Sequence, residues 1–239
     1  MGKSYVLSYV WAVALAGLTL VSGCDKPAPK ASAPAATTAP APKKLANGLD
    51  VPPDNTFVEI DTDQGNIVLD VDGKDAPITA ANFLHYVDNH KLDGGTFYRT
   101  VKSGPSGFIQ FNSGERTYPP IAHEPTTQTH LSHTNGAIST ARYALGTASN
   151  EFTICVGDMT YLDAGGSATP DKQGFAVFGH VVSGMDVVKG ILKGRISTAK
   201  PGPGEWAGET LAKPVLITSA HRIAAPSVEA SASAQASNS

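Results

Sequence analysis

The sequence predicts a mainly β fold, a closed or nearly closed eight-stranded antiparallel barrel capped by two helices. Three observations carry this expectation. Short apolar runs recur along the middle of the chain, turns rich in Gly separate them, and only two stretches change to helical spacing. The 24 Gly and 17 Pro of the 239 residues fit a chain that turns often. No internal repeat period is present.

The elements follow in order. Phe57–Asp61 and Asn66–Asp72 alternate apolar and polar residues, with Ile67, Leu69 and Val71 on one face, and Thr62-Asp63-Gln64-Gly65 between them is a hairpin turn signal. Pro77 then opens a helix, since its fixed φ and missing N–H suit the first helical position. Ala80, Phe83, Leu84 and Val87 give that helix a buried stripe. Four further strands are expected at Phe97–Val101, Gly107–Phe111, Gly136–Ala141 and Phe152–Gly157, and a fifth at Ala176–Val182. Met185–Leu192 reads as the second helix and Pro214–Arg222 as the last strand.

Outside this unit the composition changes. The chain is 41% apolar but only 16% charged, with a net charge of −3, so it can bury a core and lacks the basic excess of a nucleic-acid binder. Residues 4–24 carry no charge and Lys3 precedes them. Leu20-Val21-Ser22-Gly23-Cys24 resembles a bacterial lipobox, which implies a signal peptide over 1–23 and lipidation of Cys24. Residues 24–55 then read as the lipidated Cys followed by a Pro/Ala-rich spacer, 56–223 as the folded domain, and 224–239 as a disordered tail. The expected location is the bacterial cell envelope, with the domain lipid-anchored to the membrane and facing the periplasm. With Cys24 modified, Cys155 has no partner and no disulfide is expected.

Four stretches of the folded unit resemble the cyclophilins, the peptidyl-prolyl cis–trans isomerases. DAPITAANFLHYVDNHKLDGGTFYRTV is similar to the family's helix and the strand after it, with Tyr98 where the family has His. Gly136-Ala137-Ile138-Ser139-Thr140-Ala141-Arg142 resembles "G-x-[IL]-S-M-A". Glu151-Phe152-Thr153-Ile154 resembles "[QE]-F-F-I". Phe175–Val182 with Gly184–Val188 resembles "FG-x-V-x-G-x-D-V-V". The resemblance implies the eight-stranded barrel and isomerase activity on Xaa-Pro bonds of exported polypeptides. It implies no cofactor, a proline-containing polypeptide as partner, and a monomer.

The chemistry has a physical basis. Rotation about the amide bond meets a barrier of about 18–20 kcal/mol. In the twisted transition state the prolyl nitrogen becomes pyramidal, and a fixed cationic donor aimed at it stabilises that state above both planar ones. The resemblance places this donor on Arg99 and a supporting polar residue on Gln110. It places substrate contacts on Phe108, Ile109, Ala141, Arg142, Glu151, Thr153, Tyr161, Leu162 and Phe175.

Two departures bear on the proline pocket. The family's "F-M-x-Q-G-G" reads Gly107-Phe108-Ile109-Gln110-Phe111-Asn112 here, after a lengthened Lys102–Ser106 loop, and the glycine pair is missing. Thr153 stands where the family has Phe, so a large contact is lost and a hydroxyl gained that needs a partner. These changes leave open an alternative, a catalytically weak module that binds proline-containing segments as a chaperone. His123, Glu124, His130 and His133 match no metal-ligand spacing, and the histidines read as solvated loop residues. Pro201-Gly202-Pro203-Gly204 reads as a turn, not a phosphate cradle.

Overall fold

The computed structural model describes residues 43–114, 116–200, 202 and 206–226. The expected signal peptide, the Cys24 lipid site, most of the Pro/Ala spacer and most of the tail lie outside the described residues. No helix among the described residues is long and apolar enough to cross a membrane.

Eight strands close into an antiparallel barrel. They are β1 (Asn55–Thr62), β2 (Gly65–Asp72), β3 (Thr96–Ser103), β4 (Ser106–Asn112), β5 (Ala137–Thr140), β6 (Glu151–Val156), β7 (Ala176–Ser183) and β8 (Thr210–Ile223). The order around the barrel is β1-β2-β7-β5-β6-β4-β3-β8, and every pairing is antiparallel. Closure leaves no unpaired sheet edge. Both expected helices are present, α1 (Pro77–Asp88) and, after a single turn α2 (Thr126–Thr129) that sequence periodicity could not show, α3 (Met185–Leu192).

The strand alternation works as read. Val58 and Ile60 of β1 and Ile67, Leu69 and Val71 of β2 point inward with no exposed surface, and Glu59 and Asp61 do not. Phe83, Leu84 and Val87 of α1 and Val188, Ile191 and Leu192 of α3 enter the same core as Phe97, Phe111, Phe152 and Phe178. Helix α1 has Pro at its first position but no side chain of its own as a cap. The carboxylate of Glu124 supplies one, accepting the Ile78 N–H at 3.0 Å, the Thr79 N–H at 2.7 Å and the Thr79 hydroxyl at 2.6 Å. Gly184 caps the start of helix α3, and its φ of +86° and contact with the Asn66 carbonyl leave no room for a side chain.

Two local expectations change. Lys102–Ser106 is not a lengthened loop: Lys102 pairs with Gly107 and Ser103 with Ser106, so β3 and β4 continue to a tight turn at Gly104-Pro105. Gly104, at φ +61°, provides the reversal. Strand β8 begins at Thr210, not Pro214. Its register against β3 jumps from Val215 opposite Phe97 to Thr210 opposite Arg99, and this irregularity accommodates Pro214, which has no N–H for a ladder.

Candidate active site

A cleft of about 830 Å³ lies across β3, β4 and β6 and the loops beside them. Arg99, Phe108, Gln110, Ala141, Arg142, Glu151, Thr153, Tyr161, Leu162 and Phe175 all line it. Ile109 does not. It is wholly buried in the barrel core, because neighbouring strand residues face opposite sides and Phe108 and Gln110 take the cleft side of β4. The expected substrate contact at Ile109 is therefore corrected to a core position.

The same alternation resolves the shifted motif. A side chain at Gly107 would collide with the Val101 carbonyl, its Cβ falling 2.1 Å from that oxygen. No residue larger than Gly fits there, and Phe108 supplies the aromatic wall, its ring centroid 5.5 Å from the Arg99 guanidinium carbon.

Arg99 is held from several sides. Its Nη1 donates to Gln110 Oε1 at 2.7 Å, and Glu209 Oε2 lies 2.7 Å from Nε and 2.6 Å from Nη2. The Arg99 guanidinium carbon lies over the Trp206 ring, 4.3 Å from its centroid. Gln110 in turn donates through Nε2 to Glu151 Oε2 at 2.9 Å, which fixes which end of its amide faces Arg99. Glu151 also accepts from the Tyr98 hydroxyl at 2.9 Å and from Asn112 Nδ2 at 2.8 Å. These partners are neutral donors, so Glu151 orders the cleft wall through a hydrogen-bond network rather than an ion pair. Burial first, then the neighbouring Glu151 charge, push the Tyr98 phenol far above its ordinary pKa, which keeps it a donor.

The apolar half of the cleft rests on a second cluster of Ala137, Cys155, Met159, Leu162 and Val177, with Phe108, Ala168 and Phe175 packed against it. The Cys155 thiol is buried and unpaired, and burial pushes its pKa up to about 12. Tyr161 and Leu162 come from a 3-10 turn, Thr160–Leu162. The turn is anchored by Met159 N–H donating to the His133 carbonyl at 2.7 Å. Next to it, Asp163 accepts from the Ser132 hydroxyl at 2.5 Å, the His133 N–H at 3.0 Å and His133 Nδ1 at 2.6 Å. The expectation of solvated histidines here is overturned for His133, which has no exposed surface, and the neighbouring Glu124 is also buried. Burial outweighs the Asp163 carboxylate and lowers the His133 pKa, so the ring is neutral and donates from Nδ1.

Arg142 acts as a strut. Its Nε and Nη2 donate to the Gly174 carbonyl at 2.9 and 2.7 Å, and Nη1 and Nη2 donate to Asp171 at 2.7 and 2.8 Å. Those hydrogen bonds hold the Asp171 carboxyl well below the usual carboxylate range. The guanidinium sits 5.7 Å from the Phe175 ring and so supports that wall. At the floor, Thr153 finds the partner its hydroxyl needs, Ser139 Oγ at 2.8 Å.

Sequence reasoning missed Trp206 and Glu209. Both stand in a tight turn whose Glu209 and Thr210 N–H groups return to the Trp206 carbonyl, directly before β8. The available signal was a lone Trp and a Glu between a Gly/Pro-rich stretch of sequence and the last strand. Among the described residues, Glu59, Asp61 and His221 bring metal-capable atoms within 4.8 Å of one another, on β1 and β8 and outside the cleft lining.

The model of the cyclophilin type peptidyl-prolyl cis-trans isomerase family matches residues 57–222. A peptidyl-prolyl cis-trans isomerase of Acinetobacter baylyi is 36% identical over 148 residues, spanning 60% of this chain and 76% of that protein. One of Streptomyces antibioticus is 35% identical over 167 residues, 68% of this chain and 96% of that protein. Among solved structures, a cyclophilin type peptidyl-prolyl cis-trans isomerase of Cryptosporidium parvum has a TM-score of 0.55 at 13% identity, covering 72% of this chain and 99% of its own. A structure of that protein in the presence of the dipeptide Ala-Pro has a TM-score of 0.53 at 13% identity, covering 71% and 99%.

Proposed function

Since the chain belongs to the cyclophilin-type peptidyl-prolyl cis-trans isomerase family, we propose that Arg99 and Gln110 carry its isomerisation of Xaa-Pro bonds in exported polypeptides. The single observation supporting this assignment is the fixed guanidinium at the cleft, held by Gln110 on one side and Glu209 on the other. Arg keeps its charge at every relevant pH, so a pre-oriented donor is always available to the pyramidal prolyl nitrogen. The proline ring would rest on Phe108, Leu162 and Phe175, with Thr153 at the floor, and the substrate backbone would run along Ala141 and Arg142. No proton transfer or covalent intermediate is required, because only rotation about one bond occurs.

Two further readings belong to this proposal. The lipobox-like Leu20–Cys24 segment supports export and lipid anchoring at Cys24, with the spacer holding the domain off the membrane in the periplasm. The Ala-Pro dipeptide of the Cryptosporidium structure supports a proline-containing peptide as the occupant of the cleft.

Exchange NMR on an Ala-Pro-containing peptide tests the assignment. Wild-type protein is expected to accelerate cis–trans exchange and Arg99→Ala to fall to near background with peptide binding retained. Equal, background-level rates for both proteins would instead favour the binding-module alternative, which the Thr153 floor allows.

A further inference from the structure

The Trp206–Thr210 turn reaches the cleft from 110 residues away in sequence and brings Glu209 Oε2 to 2.6 Å from Arg99 Nη2. Backbone bonds set its position: Thr100 N–H donates to the Glu209 carbonyl at 2.8 Å, and Ser197 N–H to the Thr210 carbonyl at 2.8 Å. Gly208, at φ +78°, closes the turn. Glu209 and Trp206 thereby hold the guanidinium by different contacts, a carboxylate along its Nε/Nη2 edge and an indole ring 4.3 Å from its central carbon.

We propose that Glu209 and Trp206 are positioning residues for the isomerisation, clamping Arg99 in the plane from which its outer Nη hydrogens face the cleft. The inference rests on Arg99 being the transition-state donor and deepens that reading. An arginine side chain has several rotatable bonds, and Gln110 alone fixes one nitrogen, about which the guanidinium could still pivot. A second contact at Nε removes the pivot, and an indole ring packed against the guanidinium carbon limits its tilt. The Glu209 carboxylate also offsets some of the Arg99 charge, so its contribution by position and its effect by charge have opposite signs. Their balance is open to measurement.

The test uses the full chain and four variants, Glu209→Ala, Glu209→Gln, Trp206→Ala and Trp206→Phe. Readouts are kcat and KM on an Ala-Pro-containing peptide and the ¹⁵N–¹H correlation of the Arg99 Nε–H. For Glu209→Ala, kcat is expected to fall about tenfold with KM changed less than about twofold, and the Nε–H signal to broaden through solvent exchange. Trp206→Ala should lower kcat in the same way, and Trp206→Phe and Glu209→Gln should restore most of it. A kcat for Glu209→Ala within about twofold of an active wild type overturns the clamp and leaves the isomerase reading intact. A Glu209→Gln variant as slow as Glu209→Ala also overturns it, since the loss would then follow the charge and not the acceptor that positions Nε. A wild type without turnover defeats the isomerase reading itself, and the clamp with it.

Discussion

Arg99→Lys keeps the positive charge and removes the geometry. In the wild type the guanidinium spans two acceptors, Gln110 Oε1 at 2.7 Å from Nη1 and Glu209 Oε2 at 2.7 Å from Nε. They meet different edges of one rigid plane, and a lysine ammonium can meet one of them while leaving the other. The contact with Trp206 at 4.3 Å is also weakened, because an ammonium has no flat face. Stability should change little: the Arg99 and Glu209 side chains are 15% and 32% exposed, so the ion pair is partly screened and its loss costs about 1 kcal/mol. Catalysis should change far more. Removing one preorganised donor to a developing charge or lone pair costs about 2.7–4 kcal/mol of transition-state stabilisation, or roughly 10²–10³ in kcat. The assay is exchange NMR at saturating Ala-Pro peptide, beside circular dichroism and thermal melting of both proteins. A kcat within about threefold of wild type, with an intact fold, would refute the role assigned to the oriented guanidinium.

Three further outcomes are expected. Thr153→Phe removes the partner of the buried Ser139 hydroxyl, at a cost of about 1–3 kcal/mol, and places a ring at the cleft floor. Its KM for a small Ala-Pro peptide should fall about threefold to tenfold, and an unchanged or higher KM would show that Thr153 does not floor the proline site. His133 has a folded-state pKa below its ordinary 6.5, so the unfolded chain takes up a proton first. Its contribution to stability is complete above about pH 6.5 and declines as pH falls towards the folded value, with a slope of up to about 1.4 kcal/mol per pH unit. Chemical denaturation between pH 7 and 5 should show this decline, and His133→Gln should flatten it. The part that remains belongs to His123, lowered mainly by burial in the same direction. A slope identical in His133→Gln would discard the assignment. Glu124→Ala leaves the Ile78 and Thr79 N–H groups of α1 without their acceptor and should destabilise the domain by about 2 kcal/mol, a fall of several degrees in melting temperature. An unchanged melting curve would show that water replaces the carboxylate.

Most of the barrel was legible because its signals are local. Alternation in Ile67, Leu69 and Val71 and the helical stripe of Ala80, Phe83, Leu84 and Val87 reach at most two turns along the chain, and the structure buries those faces. The cleft was partly legible through motifs: of the eleven residues the resemblance assigned to it, all but Ile109 line it. Ile109 could have been placed from period two alone, since it lies between Phe108 and Gln110 on one strand. His133 was misread as solvated and the burial of Glu124 was not anticipated, because His, Glu and Thr in an irregular segment give no periodic burial signal. Their partners, Asp163 and the N-terminus of α1, are 30 and about 45 residues away in sequence.

The sequence by itself determined the barrel, its two helices, the family, and Gln110 as the residue expected to hold Arg99, because apolar periodicity and short motifs are properties of contiguous residues. Tertiary structure alone decided what surrounds Arg99. The turn bearing Trp206 and Glu209 lies next to it only because the β8–β3 register jumps from Val215 to Thr210. That juxtaposition of residues 99 and 209 depends on where a strand irregularity falls after the barrel has closed, and no local pattern encodes such a distance.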